Sequence, residues 1–339
     1  MKILLTGGAG FIGCNLAHRF ISTGHDVLIY DNLSRRGAES NLEWLRKEFD
    51  GQFKFIQADL RDAEGLKQAA ADRDAIYHLA AQVAVTTSVV HPREDFEINA
   101  CGTFNALEAA RMAETKPIFF YASTNKVYGG MDGARIRETD ARYEFEDLSM
   151  GVPESQPLDF HSPYGCSKGS GDQYTRDYHR IYGLRTIVFR QSCIYGSRQF
   201  GVEDQGWLAH FAIAAANGQG IKIFGDGKQV RDVLFVGDLI RAIELATQHI
   251  HVTAGQVYNI GGGPLNALSV WTETRTILES LIGQTIPVQW EDWRPGDQRI
   301  YVSDIRKAQR DFGWTPQTTP AAGLKKMWDW IDANRLLFR

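Results

Sequence analysis

The sequence lacks several features that would place it in a specialised class of protein. Its 339 residues include only four cysteines, without paired spacing, so no disulfide framework is expected. No apolar run reaches the roughly 18 residues that a membrane span needs. Lys and Arg total 37 against 41 Asp and Glu, which gives no basic footprint for nucleic acid. No Cys, His or carboxylate cluster has metal-ligand spacing, so no bound metal is predicted.

The N-terminus also lacks the pattern of a secretory signal. MKILLTGG runs from a short apolar stretch directly into glycines, which is too short for the apolar region of a signal peptide and lacks its cleavage site. Together with the unpaired cysteines, this predicts a reduced, cytoplasmic location. No linker, low-complexity segment or fixed-period repeat divides the chain.

What the sequence does contain is an alternation of short β-rich and longer helix-like segments. Strands are predicted at 2–6, 26–30, 53–57, 75–80, 117–123 and 185–190, and helices at 11–21, 38–47, 62–70, 92–114 and 164–182. Such alternation is typical of βαβ units, and the continuously apolar strands fit burial on both faces. The predicted fold class is α/β, a Rossmann-type doubly wound parallel sheet with a smaller, interleaved C-terminal substrate domain.

After about residue 190 the pattern changes to glycine- and aromatic-rich loops. A helix near 237–249 and a strand at 257–263 continue the sheet pattern, and further helices are predicted near 269–281 and 320–335. We therefore assign 1–190 and 237–262 to a dinucleotide-binding domain, and 191–236 and 263–339 to the smaller domain. Ligands of open α/β sheets bind at the carboxyl ends of the strands, so the second domain is expected to cover that edge.

The segment LLTGGAGFIG follows the first predicted strand and opens the first predicted helix. Gly7, Gly10 and Gly13 have the spacing G-x-x-G-x-x-G, and Gly8, Gly10 and Gly13 also fit G-x-G-x-x-G. Residues without side chains permit a tight turn and a close approach of a pyrophosphate to the helix N-terminus. The position between strand and helix favours a dinucleotide loop over a glycine-rich turn without a ligand.

Asp31 ends the second predicted strand, where a carboxylate accepts hydrogen bonds from ribose hydroxyls and repels a 2′-phosphate. The predicted cofactor is therefore NAD rather than NADP. Arg35 and Arg36 are a counter-signal, because arginines also bind that phosphate, although solvated loop charges explain them as well. Asp59 and the residue after it follow the third strand and either flank the adenine or, for Asp59, cap the next helix.

The catalytic prediction rests on Tyr164 and Lys168, which are four residues apart and share one face of a helix. Tyrosine is a poor base, with a reference pKa of about 10. A neighbouring ammonium and a positive nicotinamide both favour its phenolate. Tyr164 then takes a proton from a sugar hydroxyl while hydride leaves the same carbon, and Thr124, in STNKVYG, orients that hydroxyl.

These motifs together resemble the extended short-chain dehydrogenases/reductases of the nucleotide-sugar epimerase and dehydratase type. The matching segments are Thr6–Gly13, Asp31-Asn32-Leu33, His78-Leu79-Ala80-Ala81, Ser123-Thr124, Tyr164 with Lys168, Gly225–Asp232 and Arg294-Pro295-Gly296-Asp297. Within that family, HLAAQVAVTTS, STNKVYG, LDFHSPYGCSKG and GDGKQVRDV are most similar to epimerases of CDP-linked sugars. The resemblance implies NAD and a CDP-sugar as ligands, and we also expect a homo-oligomer, a dimer or tetramer.

The family's motifs also carry over to individual positions. Cofactor contacts are expected from Gly7, Gly10, Phe11, Ile12, Gly13, Asp31, Asn32, Asp59, Leu60, Ala80 and Lys168, and substrate contacts from Gln82, Thr124, Asn125, Tyr164, Arg231 and Arg294. Arg231 and Arg294 match arginines that contact the diphosphate or nucleotide in relatives, a role that suits the bidentate guanidinium. Cys193 stands where many relatives have an asparagine, so the amide contact that this asparagine makes to the diphosphate is not expected in the same form here.

The two residues after Thr124 separate the reactions of this family. Its dehydratases carry an Asp-Glu pair there, because eliminating water needs an acid and a base. Asn125 exchanges no proton at useful pH, and Lys126 does not replace a carboxylic acid in the usual way. The pattern disfavours dehydration and favours epimerisation through a ketone that turns over before it is reduced again. A purely structural role for both residues stays open.

Several weaker candidates and two other functions stay open as well. Val83 to Val85 either line a pocket for a deoxygenated sugar or simply begin a helix, and His161, Arg198 and Arg299 are as compatible with structural contacts as with substrate. A UDP-hexose 4-epimerase would use the same parts on another carbon. A non-catalytic dinucleotide sensor is disfavoured, because it has no use for the hydride-transfer residues.

Overall fold

The computed structural model describes residues 1–294 and 297–338. The strands within these ranges are β1 (Lys2–Thr6), β2 (Asp26–Asp31), β3 (Phe53–Gln57), β4 (Ala75–His78), β5 (Ile118–Thr124), β6 (Ile136–Glu138), β7 (Tyr143–Phe145), β8 (Thr186–Gln191), β9 (Ile194–Tyr195), β10 (Ile221–Phe224), β11 (Val230–Asp232), β12 (Leu234–Phe235), β13 (Gln256–Ile260), β14 (Ala267–Ser269), β15 (Val288–Glu291) and β16 (Ile300–Tyr301).

The α-helices in the same ranges are α1 (Phe11–Ser22), α2 (Ala38–Glu48), α3 (Ala63–Ala70), α4 (Val85–Val90), α5 (Pro92–Phe96), α6 (Gly102–Met112), α7 (Ser162–Tyr182), α8 (Trp207–Ala216), α9 (Val236–Gln248), α10 (Ile250–Thr253), α11 (Thr274–Ile282), α12 (Arg306–Phe312) and α13 (Pro320–Ala333). A π-helical segment covers Glu97–Cys101, and 3₁₀ turns cover Asn125–Tyr128, Pro264–Asn266 and Arg335–Phe338. None of these described helices is long and apolar enough to span a membrane.

Seven parallel strands form the central sheet in the order β13-β8-β5-β4-β1-β2-β3, which confirms the predicted Rossmann-type architecture. In β1, Ile3 and Leu5 pack in the core on one face while Leu4 packs in the core on the other. Because successive side chains of a strand alternate between faces, this run has to be apolar throughout. The chain order reverses between β1 and β4, so the carboxyl ends of these two strands frame the ligand crevice.

A second, smaller core packs α8, α11 and α13 around Trp271, Leu324 and Met327. Two small sheets, β10-β15 and β14-β11-β16, accompany this core, and β11 precedes α9 in the chain, so the two regions are interleaved. Phe312 and Trp314, which fall in the predicted second domain, pack instead in the core beside the central sheet. The exact domain boundaries therefore stay a prediction.

Two predicted helices differ from the observed ones for identifiable reasons. The helix predicted over 92–114 contains the π segment, where the Asn99 amide donates to the carbonyl of Gln82, to Asp95 Oδ1 and to Ser167 Oγ. The helix predicted from 269 begins at Thr274, because Ser269 ends β14, which pairs with β11, and residues 270–273 form a turn. Tertiary partners thus override the local helical pattern in both places.

Candidate active site

The glycine loop between β1 and α1 leaves no room for a side chain at Gly7 or Gly13. Gly7 has φ +71°, and a Cβ there would lie 2.6 Å from the backbone nitrogen of Ala80. A Cβ on Gly13 would lie 2.1 Å from the carbonyl oxygen of Gly7. Gly10 precedes the helix without a side-chain cap, so the first amides of α1, on Phe11 and the next residues, are left for a ligand. This cradle fits the predicted pyrophosphate.

Asp31 lies beside the glycine loop, at the end of β2. Its Oδ2 accepts a hydrogen bond from the Ala9 amide at 3.0 Å, and its Oδ1 accepts one from the Leu33 amide at 2.8 Å. Burial raises the pKa of this carboxyl, and the two amide bonds oppose that rise. The carboxylate thus holds the loop in place as well as lying where a ribose is expected.

Asp59 does not cap the helix that follows it. The cap of α3 is Asp62, whose side chain accepts from the Gly65 amide. Asp59 instead binds Arg61 through both carboxylate oxygens, at 2.9 Å each, and this pairing lowers its pKa to about 2. Asn32 donates to Asp59 Oδ2 at 3.0 Å, so these two predicted cofactor residues form one exposed edge.

The remaining predicted cofactor residues lie around the same crevice. Leu60 is buried in the core on one face of the sheet, and Ala80 follows β4 directly beside the glycine turn. Arg35 donates to the side chain of Gln205 at 2.9 Å. Taken together, the loop, the carboxylate edge and the switch point of the sheet fit an adenine dinucleotide.

The three predicted catalytic residues meet in one cavity of about 290 Å³. Thr124 ends β5, while Tyr164 and Lys168 lie on the first turns of α7, which begins with Ser162 and Pro163. All three side chains are buried. Phe11 of the cofactor loop lines the same cavity, so catalytic and cofactor residues face one space.

Burial dominates the protonation of the catalytic pair. It raises the pKa of Tyr164 to about 12, against the opposing hydrogen bond of Thr124. It also lowers the pKa of Lys168 to about 7, against the attraction of Asp172 and Asp95. Lys168 alone therefore does not lower the pKa of Tyr164 enough for the phenolate that the sequence analysis expected. The positive nicotinamide of a bound cofactor is the remaining charge that favours the phenolate.

Two buried networks hold the catalytic elements in register. Asp172 of α7 accepts from Ser123 at 2.8 Å and from Arg190 at 2.9 Å through each carboxylate oxygen, which ties α7 to β5 and β8. Asp95 accepts from Ser167 at 2.6 Å on the other side of α7. These bonds fix the helix that carries Tyr164 and Lys168 relative to the strand end that carries Thr124.

Gln82 belongs to the second of these networks rather than to the described lining of the cavity. Its amide nitrogen donates to Asp95 Oδ1 at 2.9 Å and to the carbonyl of Ala84, and its backbone amide donates to Asn99. Its amide oxygen accepts from the Ala84 amide, so both of its side-chain functions are used within the protein. The structure therefore places this predicted substrate residue behind the site, with its partners 13 and 17 residues further along the chain.

Other predicted residues do line the cavity. Val83 and Val85 form an apolar wall, and Asn125 accepts a hydrogen bond from Thr124 Oγ1 at 3.3 Å. Cys193 also lines the cavity, and its φ of +40° is a strained conformation for a residue with a side chain. The apolar wall suits a sugar with few hydroxyl groups.

The two predicted diphosphate arginines already have partners inside the protein. Arg231 is buried and donates to Asp297 Oδ1 at 2.8 Å and to the carbonyl of Gln298 at 2.7 Å. Arg294 contacts Glu203 at 3.0 Å and Asp204 at 3.4 Å, and its guanidinium carbon lies 3.8 Å from the centre of the Phe224 ring.

Arg231 and Arg294 are also absent from the described lining of the cavity. The Pro-Gly pair at 295–296 that follows Arg294 in the motif lies outside the described residues.

The weaker candidates make structural contacts. His161 is exposed and lies 3.0 Å from Asp159. The guanidinium of Arg198 lies 4.1 Å from the centre of the Trp44 ring, and that of Arg299 lies 5.3 Å from the centre of the Tyr143 ring. None of the three is among the residues described as lining the cavity.

Sequence reasoning missed one side of the cavity. It is formed by Gln199, Asp204, Gln205 and Gly206, which lie between β9 and α8, and by Trp207 and Leu208, which begin α8. Their segment stood out in the sequence as a glycine- and aromatic-rich loop, which was the available signal. Within the described residues, no group of three or more His, Cys, Asp or Glu is placed to hold a metal ion.

Comparison with known proteins gives the family. Residues 4–327 match the family described as GDP-mannose 4,6 dehydratase. A CDP-paratose 2-epimerase of Salmonella typhi is 44% identical, covering 98% of this chain and all of that protein. A putative UDP-glucose 4-epimerase of Methanocaldococcus jannaschii is 33% identical over 98% of this chain and 99% of its own.

A solved structure adds the ligands of one relative. The UDP-glucuronic acid 4-epimerase of Bacillus cereus, in complex with UDP-glucuronic acid and NAD, has a TM-score of 0.84 and 28% identity, covering 98% of this chain and 99% of that one. The chain therefore belongs to the nucleotide-sugar epimerase and dehydratase family of extended short-chain dehydrogenases/reductases. The predicted enzyme class and the predicted cofactor, NAD, are confirmed by these relatives.

Proposed function

We propose that this protein converts CDP-paratose to CDP-tyvelose by inverting C2 of the sugar with bound NAD. One observation carries the proposal: Thr124, Tyr164 and Lys168 share a cavity in which Asn125 and Lys126 stand where an eliminating enzyme needs carboxylates. The relative that matches over the full length at 44% identity is a CDP-paratose 2-epimerase, which supports the choice of substrate. The apolar wall of Val83 and Val85 suits a dideoxy sugar.

In the proposed reaction, the residues of the chain move one proton and orient the sugar. Thr124 Oγ1 positions the C2 hydroxyl, and Tyr164 Oη takes its proton and later returns it. Lys168, one helical turn further on, adds positive charge to the cavity when it is protonated, and the bonds to Asp172 and Asp95 keep the helix fixed while the sugar turns. Bound NAD would supply the hydride acceptor for the sugar carbon and the hydride donor for the other face of the ketone, held by the glycine loop and Asp31.

A UDP-hexose 4-epimerase is the second candidate, because a relative of 34% identity is a UDP-glucose 4-epimerase. It would place C4 rather than C2 beside Tyr164 with the same residues. Incubating the enzyme with CDP-paratose, UDP-glucose and UDP-galactose, and reading product stereochemistry by NMR, separates the two. Inversion of only the UDP-sugars would replace the first proposal with the second.

The mechanism is tested by the fate of the hydrogen on C2. CDP-paratose carrying deuterium at C2 is expected to give CDP-tyvelose with the label still at C2, measured by NMR. Unlabelled substrate in deuterium oxide is expected to gain no deuterium on carbon, because no carboxylate stands after Thr124 to deprotonate a neighbouring carbon. Solvent deuterium at C2 or C3 would instead indicate enolisation and would contradict the interpretation of Asn125 and Lys126.

The homo-oligomer and the cytoplasmic location remain predictions. Large apolar side chains are exposed on α6 and α7, including Phe104, Met112, Tyr174 and Ile181, which is compatible with a subunit contact. Light scattering of the purified protein gives the number of subunits.

A further inference from the structure

The side chain of Lys126 places an ammonium group at the active site, and the proposed mechanism does not use it. It follows Thr124 by two residues in the 3₁₀ turn Asn125–Tyr128, and its side chain lines the catalytic cavity. Within the described residues, its recorded side-chain partner is the neutral amide oxygen of Gln298, at 3.3 Å. An ammonium in such a place favours an anionic partner.

Gln298, the partner of Lys126, also binds a second cation, Arg231. Arg231 donates to the backbone carbonyl of Gln298 at 2.7 Å, while Lys126 donates to its side chain. Burial first, and then the charge of Arg231, lower the pKa of Lys126 to about 8, with Asp297 opposing. The region between these groups thus holds two positive charges with one carboxylate, and an incoming anion would relieve their repulsion.

The chemistry of the substrate determines how far its sugar-linked phosphate lies from the carbon that reacts. In a nucleoside diphosphate sugar, the phosphate is attached to C1, and C2 is the adjacent carbon. An enzyme that brings C2 to Thr124 and Tyr164 therefore also brings the sugar-linked phosphate close to them. In an enzyme that acts on C4, across the ring, this phosphate lies farther from the catalytic pair.

We propose that Lys126 binds the sugar-linked phosphate of the substrate, with Arg231 reinforcing the positive charge behind it. This inference rests on the proposed epimerisation at C2 and assigns Lys126 a positioning role in it. The anchored phosphate holds one end of the sugar while the ketone turns. No proton has to leave Lys126, and no bond forms or breaks at its ammonium.

The test compares binding of CDP and CMP to the NAD-bound enzyme by titration calorimetry. CDP contains the phosphate that would carry the sugar, and CMP lacks it. Lys126→Met is expected to weaken CDP binding by about 10- to 100-fold, the scale of a hydrogen bond to a charged group, with little change for CMP. Lys126→Arg is expected to restore part of the loss.

Lys325 provides the matched control, because it is an exposed lysine on α13, 2.7 Å from Asp329. Lys325→Met is expected to bind both nucleotides as the wild type does. Bound NAD and circular dichroism report whether each variant folds, and Lys126→Gln replaces the methionine variant if that one does not. Equal losses for CDP and CMP, or no loss for either, would overturn the assignment of Lys126.

The same variants keep this inference separate from the function on which it rests. If the wild type inverts C2 of CDP-paratose while Lys126→Met binds CDP normally, only the role of Lys126 is wrong. If the wild type leaves CDP-paratose unchanged, the proposed function is wrong, and a preserved CDP–CMP difference that depends on Lys126 then supports a phosphate contact alone.

Discussion

The two halves of the candidate site are prepared in different ways. On the cofactor side, no side chain caps the N-terminus of α1, Asp31 binds the loop amides beside it, and Tyr164 and Lys168 face the cavity that Phe11 of the loop also lines. On the side predicted to hold the diphosphate, Arg231 and Arg294 are paired with carboxylates of the protein itself. The first half leaves backbone amides for its predicted ligand, whereas a phosphate that bound Arg231 or Arg294 as predicted would have to compete with Asp297, Glu203 and Asp204.

This difference follows from chemistry. Backbone amides and small residues satisfy the geometry of a pyrophosphate without carrying a full charge that must be balanced. A guanidinium group does carry one, and a protein that buries it, as it buries Arg231, needs a counter-ion nearby. Internal carboxylates supply that balance, at the expense of affinity for the incoming anion.

The largest expected effect on activity comes from a substitution in the half of the site that holds the predicted cofactor and catalytic residues. Tyr164→Phe removes one hydroxyl from a buried helix position and is expected to lower kcat by about 100- to 10,000-fold, the usual scale for an acid/base group. The measurement is turnover of the nucleotide sugar under saturating conditions. Lys168→Met is also expected to lose activity.

Bound NAD and circular dichroism are the controls for Tyr164→Phe, since the variant should stay folded and keep its cofactor. Turnover close to the wild type would mean that another group moves the proton.

A smaller effect, on nucleotide binding, is expected from removing the carboxylates that pair with Arg294 in the other half of the site. The double variant Glu203→Gln with Asp204→Asn removes both carboxylates near this guanidinium and is expected to tighten binding of CDP by about 2- to 5-fold, the scale of exposed ion pairs. Calorimetry with and without added salt measures it.

Asp329→Asn, which removes an ion pair on α13 instead, is the matched control. Weaker CDP binding in the double variant would show that the two carboxylates position the loop rather than compete with phosphate.

The smallest effect is a pH dependence of folding stability. In the folded chain Lys168 has a pKa of about 7, whereas an unfolded lysine keeps its proton to near pH 10.5. Between these values the unfolded state binds more protons, so this lysine makes the free energy of unfolding rise with pH. Lys126, with a pKa of about 8, acts in the same direction.

Urea unfolding of NAD-free protein at pH 7 and pH 8.5 measures this contribution. The gain in stability between the two values is expected to be smaller in Lys168→Met than in the wild type. An equal gain in both proteins would show that the buried lysine keeps its proton throughout this range.

The placement of the candidate catalytic and cofactor residues could be predicted from the sequence because their geometry is local, while their roles stay predictions. Tyr164 and Lys168 are one helical turn apart, and the glycines of the cofactor loop span a single strand-to-helix turn. Asp31 is recognisable because it ends the strand that pairs beside β1. Such relations follow from the period of a helix or the end of a strand.

The substrate side could not be predicted in the same way, because its geometry depends on distant partners. Gln82 is turned away from the cavity by Asp95 and Asn99 of the helical segments that follow it. Arg231 is held by Gln298, 67 residues further along the chain. Trp207 begins α8, whose place against the cavity depends on the packing of the second core.

The hydrogen bonds of Asp31 have a consequence for any redesign of cofactor preference. Its carboxylate joins the Ala9 and Leu33 amides, and Leu33 has a positive φ of 60° that this bond helps to maintain. Replacing Asp31 to admit a phosphorylated ribose would also untie both segments. Cofactor selectivity and the rigidity of the loop thus depend on the same side chain. A variant that uses NADP needs one substitution that binds the 2′-phosphate and another that secures the loop again.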